Sequence, residues 1–177
     1  MILMKYLVKI FVVTFLLLIY THAFAEQKIV TLDMKYVLNN SKAGKGAQDF
    51  LKKSLADNTK KFLDIENSLK KEENDLLEKK NILSKEEYQK KADKLRKKVI
   101  DYQSQRRTSL DKIGNQRAQA KATLLKSIDP LLNSYIEEND ISLIIDKKYT
   151  IGGKTSLDIT NLIIEKLNKE LQSLNLQ

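Results

Sequence analysis

Between Ser41 and Asp129 the chain contains no proline, and its only glycines there are Gly44, Gly46 and Gly114. A proline inside a helix removes a hydrogen bond and clashes with the preceding turn, so a proline-free stretch of this length permits helix almost throughout. Leu51, Leu55, Asn58, Phe62, Ile65, Leu69, Glu72, Leu76, Lys79 and Leu83 follow an alternating four-three spacing. Seven of these ten positions are apolar, which makes a heptad seam with polar interruptions. The pattern resumes at Tyr88, Ala92, Leu95, Val99 and Tyr102, then passes Arg106 and Ser109 to Ile113, Ala120 and Leu124, with Leu110 marking a register shift.

The break between the two runs is itself informative. Ser84-Lys85-Glu86-Glu87 has the form of a capping box, in which the serine hydroxyl and the glutamate carboxylate each satisfy a free backbone N–H of a helix start. A new helix is therefore expected at Lys85, with Asn81-Ile82-Leu83 ending the previous one. Lys42–Leu83 and Lys85–Lys126 each hold 42 residues, so each helix would be about 60 Å long. Two equal helices joined by a tight turn make an antiparallel hairpin; the alternative is one unbroken helix in a longer coiled coil. A cap at the midpoint favours the hairpin. Asn58, Glu72, Lys79 and Arg106 interrupt the seam, and Gly114 adds a weak point of about 1 kcal/mol relative to alanine. The arm is expected to bend.

The flanks read differently. Ile29–Met34 is rich in β-branched residues and predicts a strand. Asp129-Pro130 should kink or restart the helix, and Leu131–Asn139 continues it with Leu132, Tyr135 and Ile136 on one side. Ile141–Asp146 predicts a buried strand, and Tyr149-Thr150-Ile151 a second one paired with it. Ser156–Thr160 opens a closing helix, with Asp158 or Thr160 as its cap and Leu162, Ile163, Leu167, Leu171 and Leu174 as its apolar stripe. About three short strands and one or two short helices make a sheet with unpaired edges and little to pack against. Pooling strands from several copies would close those edges. The fold class is thus α+β, predominantly helical: a long antiparallel coiled-coil hairpin on a small β-rich oligomerisation hub. Residues 42–129 form the arm, with its turn near 81–85, and residues 26–41 with 130–177 form a discontinuous hub.

The first 25 residues bear on compartment. Lys5 and Lys9 precede an apolar run from Ile10 to Tyr20, and Ala23-Phe24-Ala25 is a small-x-small cleavage signal. This predicts a secretory signal peptide cleaved before Glu26; an uncleaved anchor would need ~20 apolar residues. The chain has no cysteine, and its one histidine, His22, lies in the signal. The mature protein thereby lacks the usual metal ligands other than carboxylates, the usual general base and the most reactive nucleophile. Gly152-Gly153-Lys154-Thr155 lacks the spacing of a phosphate loop and reads as a turn. No catalytic residue, metal or cofactor is expected.

Charge is unevenly distributed. Lys42–Lys126 carries 23 Lys/Arg against 13 Asp/Glu, whereas the rest of the mature chain is slightly acidic. The basic arm would attract acidic clients and anionic membrane surfaces and hold like-charged arms apart. Candidates on the basic face are Lys52, Lys53, Lys60, Lys61, Lys70, Lys71, Lys97, Lys98, Arg106 and Arg107, each of which also suits the solvated face of a long helix. Phe50, Leu63, Leu77 and Ile100 fall outside the seam. They either face a bound partner, or pack against the hub or cover the flank of the seam. Nucleic-acid binding is not expected: the signal argues against it, and no aromatic platform or groove-reading element is present.

Taken in order, these segments resemble the Skp/OmpH family of periplasmic chaperones. The resemblance rests on the strand Ile29–Met34, the pair Val37-Leu38, the small residues Ala43 and Gly44, the helical hairpin, the return strand Leu143-Ile144-Ile145-Asp146, and Asp158-Ile159-Thr160 with Leu167-Asn168. The resemblance implies a homotrimer with a β-rich hub and three helical tentacles that hold unfolded outer-membrane proteins in the cavity between them without ATP. Ile29, Val30, Leu32, Leu143, Ile144, Ile145, Asp158 and Thr160 then become candidate hub and assembly residues. Subunit number does not follow from sequence physics alone. The alternative reading is a structural coiled-coil adaptor in a cell-envelope complex.

Overall fold

The computed structural model describes residues 27–176; the expected signal peptide, its cleavage site and His22 lie outside them. The chain is predominantly helical, with a long hairpin rising from a small α+β base. Strand β1 (Lys28–Leu32) leads to helix α1 (Met34–Asn40), then to α2 (Lys42–Glu78), a 3-10 turn (Lys79–Asn81) and α3 (Lys85–Asn139). Strand β2 (Ile141–Asp146) follows, and after two further 3-10 turns helix α4 (Thr160–Glu170) closes the base.

The strand β1 is shorter than the sequence predicts. It stops at Leu32 because Asp33 caps a helix, its carboxylate accepting from the Tyr36 backbone N–H at 2.7 Å. Met34 is therefore helical. Ser41, fully buried, then serves two helices: its backbone N–H bonds the Val37 carbonyl, and its hydroxyl accepts from the Gly44 N–H at 3.1 Å.

Strands β1 and β2 pair in parallel, with Ile29 opposite Leu143 and Leu32 opposite Asp146. Parallel strands require a crossover connection, and here the crossover is α1 plus the whole arm. The expected second return strand at Tyr149–Ile151 does not form. Asp146 accepts from the Lys148 N–H, and Lys147–Tyr149 coils into a 3-10 turn that carries Tyr149 and Ile151 into solvent. On the other strand, β1, Asp158 bridges to Thr31 and the Ile159 N–H donates to the Thr31 carbonyl at 2.9 Å.

Pro130 does not restart the helix. It forfeits the bond to the carbonyl four residues earlier, yet α3 runs through it. Ile128 and Leu131, on either side, are buried in the base and hold the helix there. The core gathers Val30, Leu32, Val37, Leu124, Ile128, Ile159, Ile163 and Leu167. Each full burial of such a side chain is worth about 1.5–3 kcal/mol. Helix α4 ends at Glu170, so Leu171 and Leu174 leave the predicted helical stripe but still pack on the core.

Candidate binding surfaces of the arm and base

The arm is held in register by polar pairs as well as apolar ones. The Ser109 hydroxyl donates to Asn58 Oδ1 at 2.6 Å, and the Tyr102 hydroxyl donates to Glu66 Oε2 at 3.2 Å. The Lys98 ammonium reaches both oxygens of Glu72 at 2.6–2.7 Å. Phe62, buried, meets Tyr102 edge-on with ring centroids 6.0 Å apart. These partners lie about equally far on either side of Ser84, where the capping box forms in full, with Ser84 Oγ accepting from Glu87 N and the Glu87 carboxylate from Ser84 N. Helix α2 ends earlier than expected, at Glu78, because the 3-10 turn takes Lys79–Asn81. The seam is also narrower than predicted: Leu55 is exposed and Ile65 only half buried.

The off-seam apolar residues all reach solvent. Phe50 is 39% exposed, Leu63 53%, Leu77 55% and Ile100 58%. Lys52, Lys53, Lys60, Lys97 and Arg106 are exposed. Lys98 is engaged with Glu72, Lys70 with Glu66 at 2.8 Å, and Arg107 lies 4.0 Å from Asp111. Lys61 sits 5.5 Å over the Phe62 ring. Glu66 is held below the ordinary carboxyl range, first by its hydrogen bond with Lys70 and then by Tyr102. These residues are strung along the arm and do not converge on one pocket. Sequence reasoning missed Ile82 at the tip, which is 82% exposed beside Lys79 and Lys80. Its position in the inter-helix break was the available signal.

A groove of about 1040 Å³ lies where α1, the arm root and the end of β2 meet. Leu38, Leu51, Leu55 and Leu124 are among its apolar lining and Lys52 and Lys121 among its charged lining.

In the base, the two faces of the sheet differ. Val30 and Leu32 point into the core, whereas Ile29 and Leu143, paired in register, are exposed together; Ile144 and Ile145 are half buried. The sheet has two strands among the described residues, so the far side of β2 has no strand partner. Asp158 and Thr160 close the base within one chain. Asp158 accepts from the Lys147 ammonium at 2.6 Å and from the Thr160 N–H at 3.0 Å, while Thr160 Oγ1 accepts from the Asp33 N–H at 2.9 Å. Ile159 holds the N-cap position of α4 without a side-chain cap, so neither predicted candidate occupies it; Asp158 lies one residue before and Thr160 is the first helical residue. Burial pushes the Asp158 carboxyl up, but the bonds from Lys147 and Thr160 outweigh burial and hold it below its ordinary value. Among the described residues there is no cluster of three or more metal-ligating side chains, and no helix is long and apolar enough to cross a membrane.

The chain is thus a helical-hairpin protein whose arm carries exposed apolar side chains and whose base holds a two-stranded sheet among the described residues. Residues 28–167 match the family described as outer membrane protein (OmpH-like), and the chain belongs to that family. It is 25% identical over 151 residues to a Skp-like protein of Pseudomonas aeruginosa, covering 83% of this chain and 88% of that one. Its fold is similar to the crystal structure of a Caulobacter crescentus CB15 protein assigned as an OmpH-like outer membrane chaperone, with a TM-score of 0.77 at 16% identity over 88% of this chain and 92% of the other.

Proposed function

We propose that this protein is an ATP-independent periplasmic holdase that binds unfolded outer-membrane β-barrel proteins in a cavity between helical arms and prevents their aggregation. It acts by binding, without catalysis or cofactor. The observation that carries the reading is the exposure of Phe50, Leu63, Leu77 and Ile100 along the arm, outside the four-three positions that pair its two helices. Scattered apolar contacts, each worth at most a few kcal/mol, hold an unfolded chain without trapping it. The exposed Lys52, Lys53, Lys60, Lys61, Lys97, Arg106 and Arg107 add long-range attraction for acidic segments and for anionic membrane surfaces.

A cavity requires more than one arm. The apolar pair Ile29 and Leu143 on the open face, with an unpartnered strand edge at β2, supports assembly of copies through the base; three is the number that the resemblance to the Skp/OmpH family implies. The test is light scattering from an unfolded β-barrel protein diluted out of denaturant, with and without the purified protein. Wild type should suppress the scattering. Leu63→Ser with Leu77→Ser should suppress it several-fold less while keeping the native mass. Unchanged suppression would remove these residues from the client surface. A structural adaptor would leave the client to aggregate in every case.

A further inference from the structure

Leu176 is only 6% exposed although it follows the last helix by six residues. It packs with Leu174 against Ala47 of α2 and Ala120 of α3, which face each other across the arm root. The seam there is built from small residues: Ala43, Gly44 and Ala47 are buried on α2, and Ala120 on α3. Two alanines leave a notch that a leucine fills, because protein interiors do not tolerate a void of that size without cost. Gln116 is the polar member of this part of the seam. It is 8% exposed, and its side-chain amide donates to the Leu176 carbonyl. On the base side, Lys42 ties α4 and the segment together: its N–H donates to the Asn168 side chain of α4 at 2.6 Å and its Nζ to Gln172 Oε1 of the segment at 3.3 Å.

We infer that residues 171–176 form a strap that completes the arm root and sets the angle at which the arm leaves the base. The strap belongs to neither a helix nor a strand of its own. It is held by side-chain insertion and individual hydrogen bonds, which places it among the parts of a fold that open locally at low cost. Leu171 and Leu174 pack on the base core, whereas Leu176 packs on Ala47 and Ala120 at the arm root, so the end of the strap can leave the notch while its first residues hold to the base. With the strap seated, the alanine notch is filled and the root is rigid. With it released, the root loses its filling side chain and the arm swings more widely. The strap stands independently of the chaperone reading; only its consequence, a cavity that widens for larger clients, rests on that reading.

The chain has no cysteine, so spin labels can be placed cleanly at Ile82→Cys on the tip and Ser156→Cys on the base, diluted with unlabelled protein. In this background Leu176→Asp should broaden the tip-to-base distance distribution at least twofold. It should also speed amide exchange at 113–124 about tenfold, with exchange in β1 and in 159–167 unchanged. Leu176→Met, which conserves volume, should behave as wild type. An unchanged distribution with unchanged root exchange would overturn the strap. So would exchange rising equally in the base, because Leu176 would then be an ordinary piece of the core. Client-aggregation assays on the same variants separate the two readings: a wider arm without any client protection in wild type would leave the strap standing and remove the holdase.

Discussion

At Gly44 an added Cβ would lie 1.9 Å from the Leu38 carbonyl oxygen, a backbone atom that cannot swing aside. The end of α1 crosses the start of the arm at that point, and only glycine lets them approach. Gly114, by contrast, has open space around its missing Cβ. Chemical denaturation should therefore show Gly44→Ala destabilised by about 1–3 kcal/mol, as overpacking costs, and Gly114→Ala stabilised by up to about 1 kcal/mol, the helix preference for alanine. The sequence marked both glycines but could not tell them apart, because the distinction depends on a helix crossing that no local pattern encodes. Asp158 is the other residue with a sharp signature. Its folded carboxyl is held below its ordinary value of 3.8, so its contribution is present above that pH and is lost as pH falls through the lower folded value. Thermal melts of Asp158→Asn should be lower than wild type at neutral pH, and the difference should shrink as pH drops below 3.8. The adjacent motif Asp158-Ile159-Thr160 was legible as a helix start. That Thr160 would also accept from Asp33, at the far end of the chain, was not.

Among the elements, the hairpin was the most legible. Its signals are local: a capping box at Ser84 and a periodic seam on each side, each read within a few turns of helix. The polar seam positions were legible as interruptions, but their pairing was not, because it depends on which residues the turn brings opposite. The Asn58–Ser109 pair lies half buried in the arm. Replacing both residues by leucine should stabilise the arm, since a matched apolar pair avoids desolvating polar groups. Asn58→Leu alone should destabilise it, by leaving Ser109 short of its acceptor. Amide exchange across 55–66 and 102–113 reads both outcomes. The base was harder to read. A β-branched run at Tyr149–Ile151 resembles a strand by composition, but Asp146 turns the chain out of the sheet and leaves that edge of β2 without a strand, while Asp158 bridges to β1. A kink or a restart at Pro130 was expected because the rule for proline is local; the helix does not restart there, and the burial of Ile128 and Leu131 that holds it is tertiary.

On the scale of the whole molecule, one parallel pair of strands carries the connection between an arm of 37- and 55-residue helices and a base closed by an 11-residue helix. Such a base buries one face of its sheet and leaves Ile29 and Leu143 on the other. The charge of the arm was readable from composition; a signal peptide and partner copies are expectations raised by the N-terminal residues and the sheet edge. Which apolar side chains reach solvent was not readable, because exposure follows from packing. The account stands on a base completed by sister chains that raise several arms around a client. Light scattering coupled to size-exclusion chromatography measures this most directly, on the purified protein alone, on Leu143→Asp, and on wild type mixed with an unfolded β-barrel protein. The account predicts a three-chain mass, a lower mass for the variant, and a soluble complex whose mass rises by that of the client. A single-chain mass for wild type, with the client lost to aggregates, would contradict it.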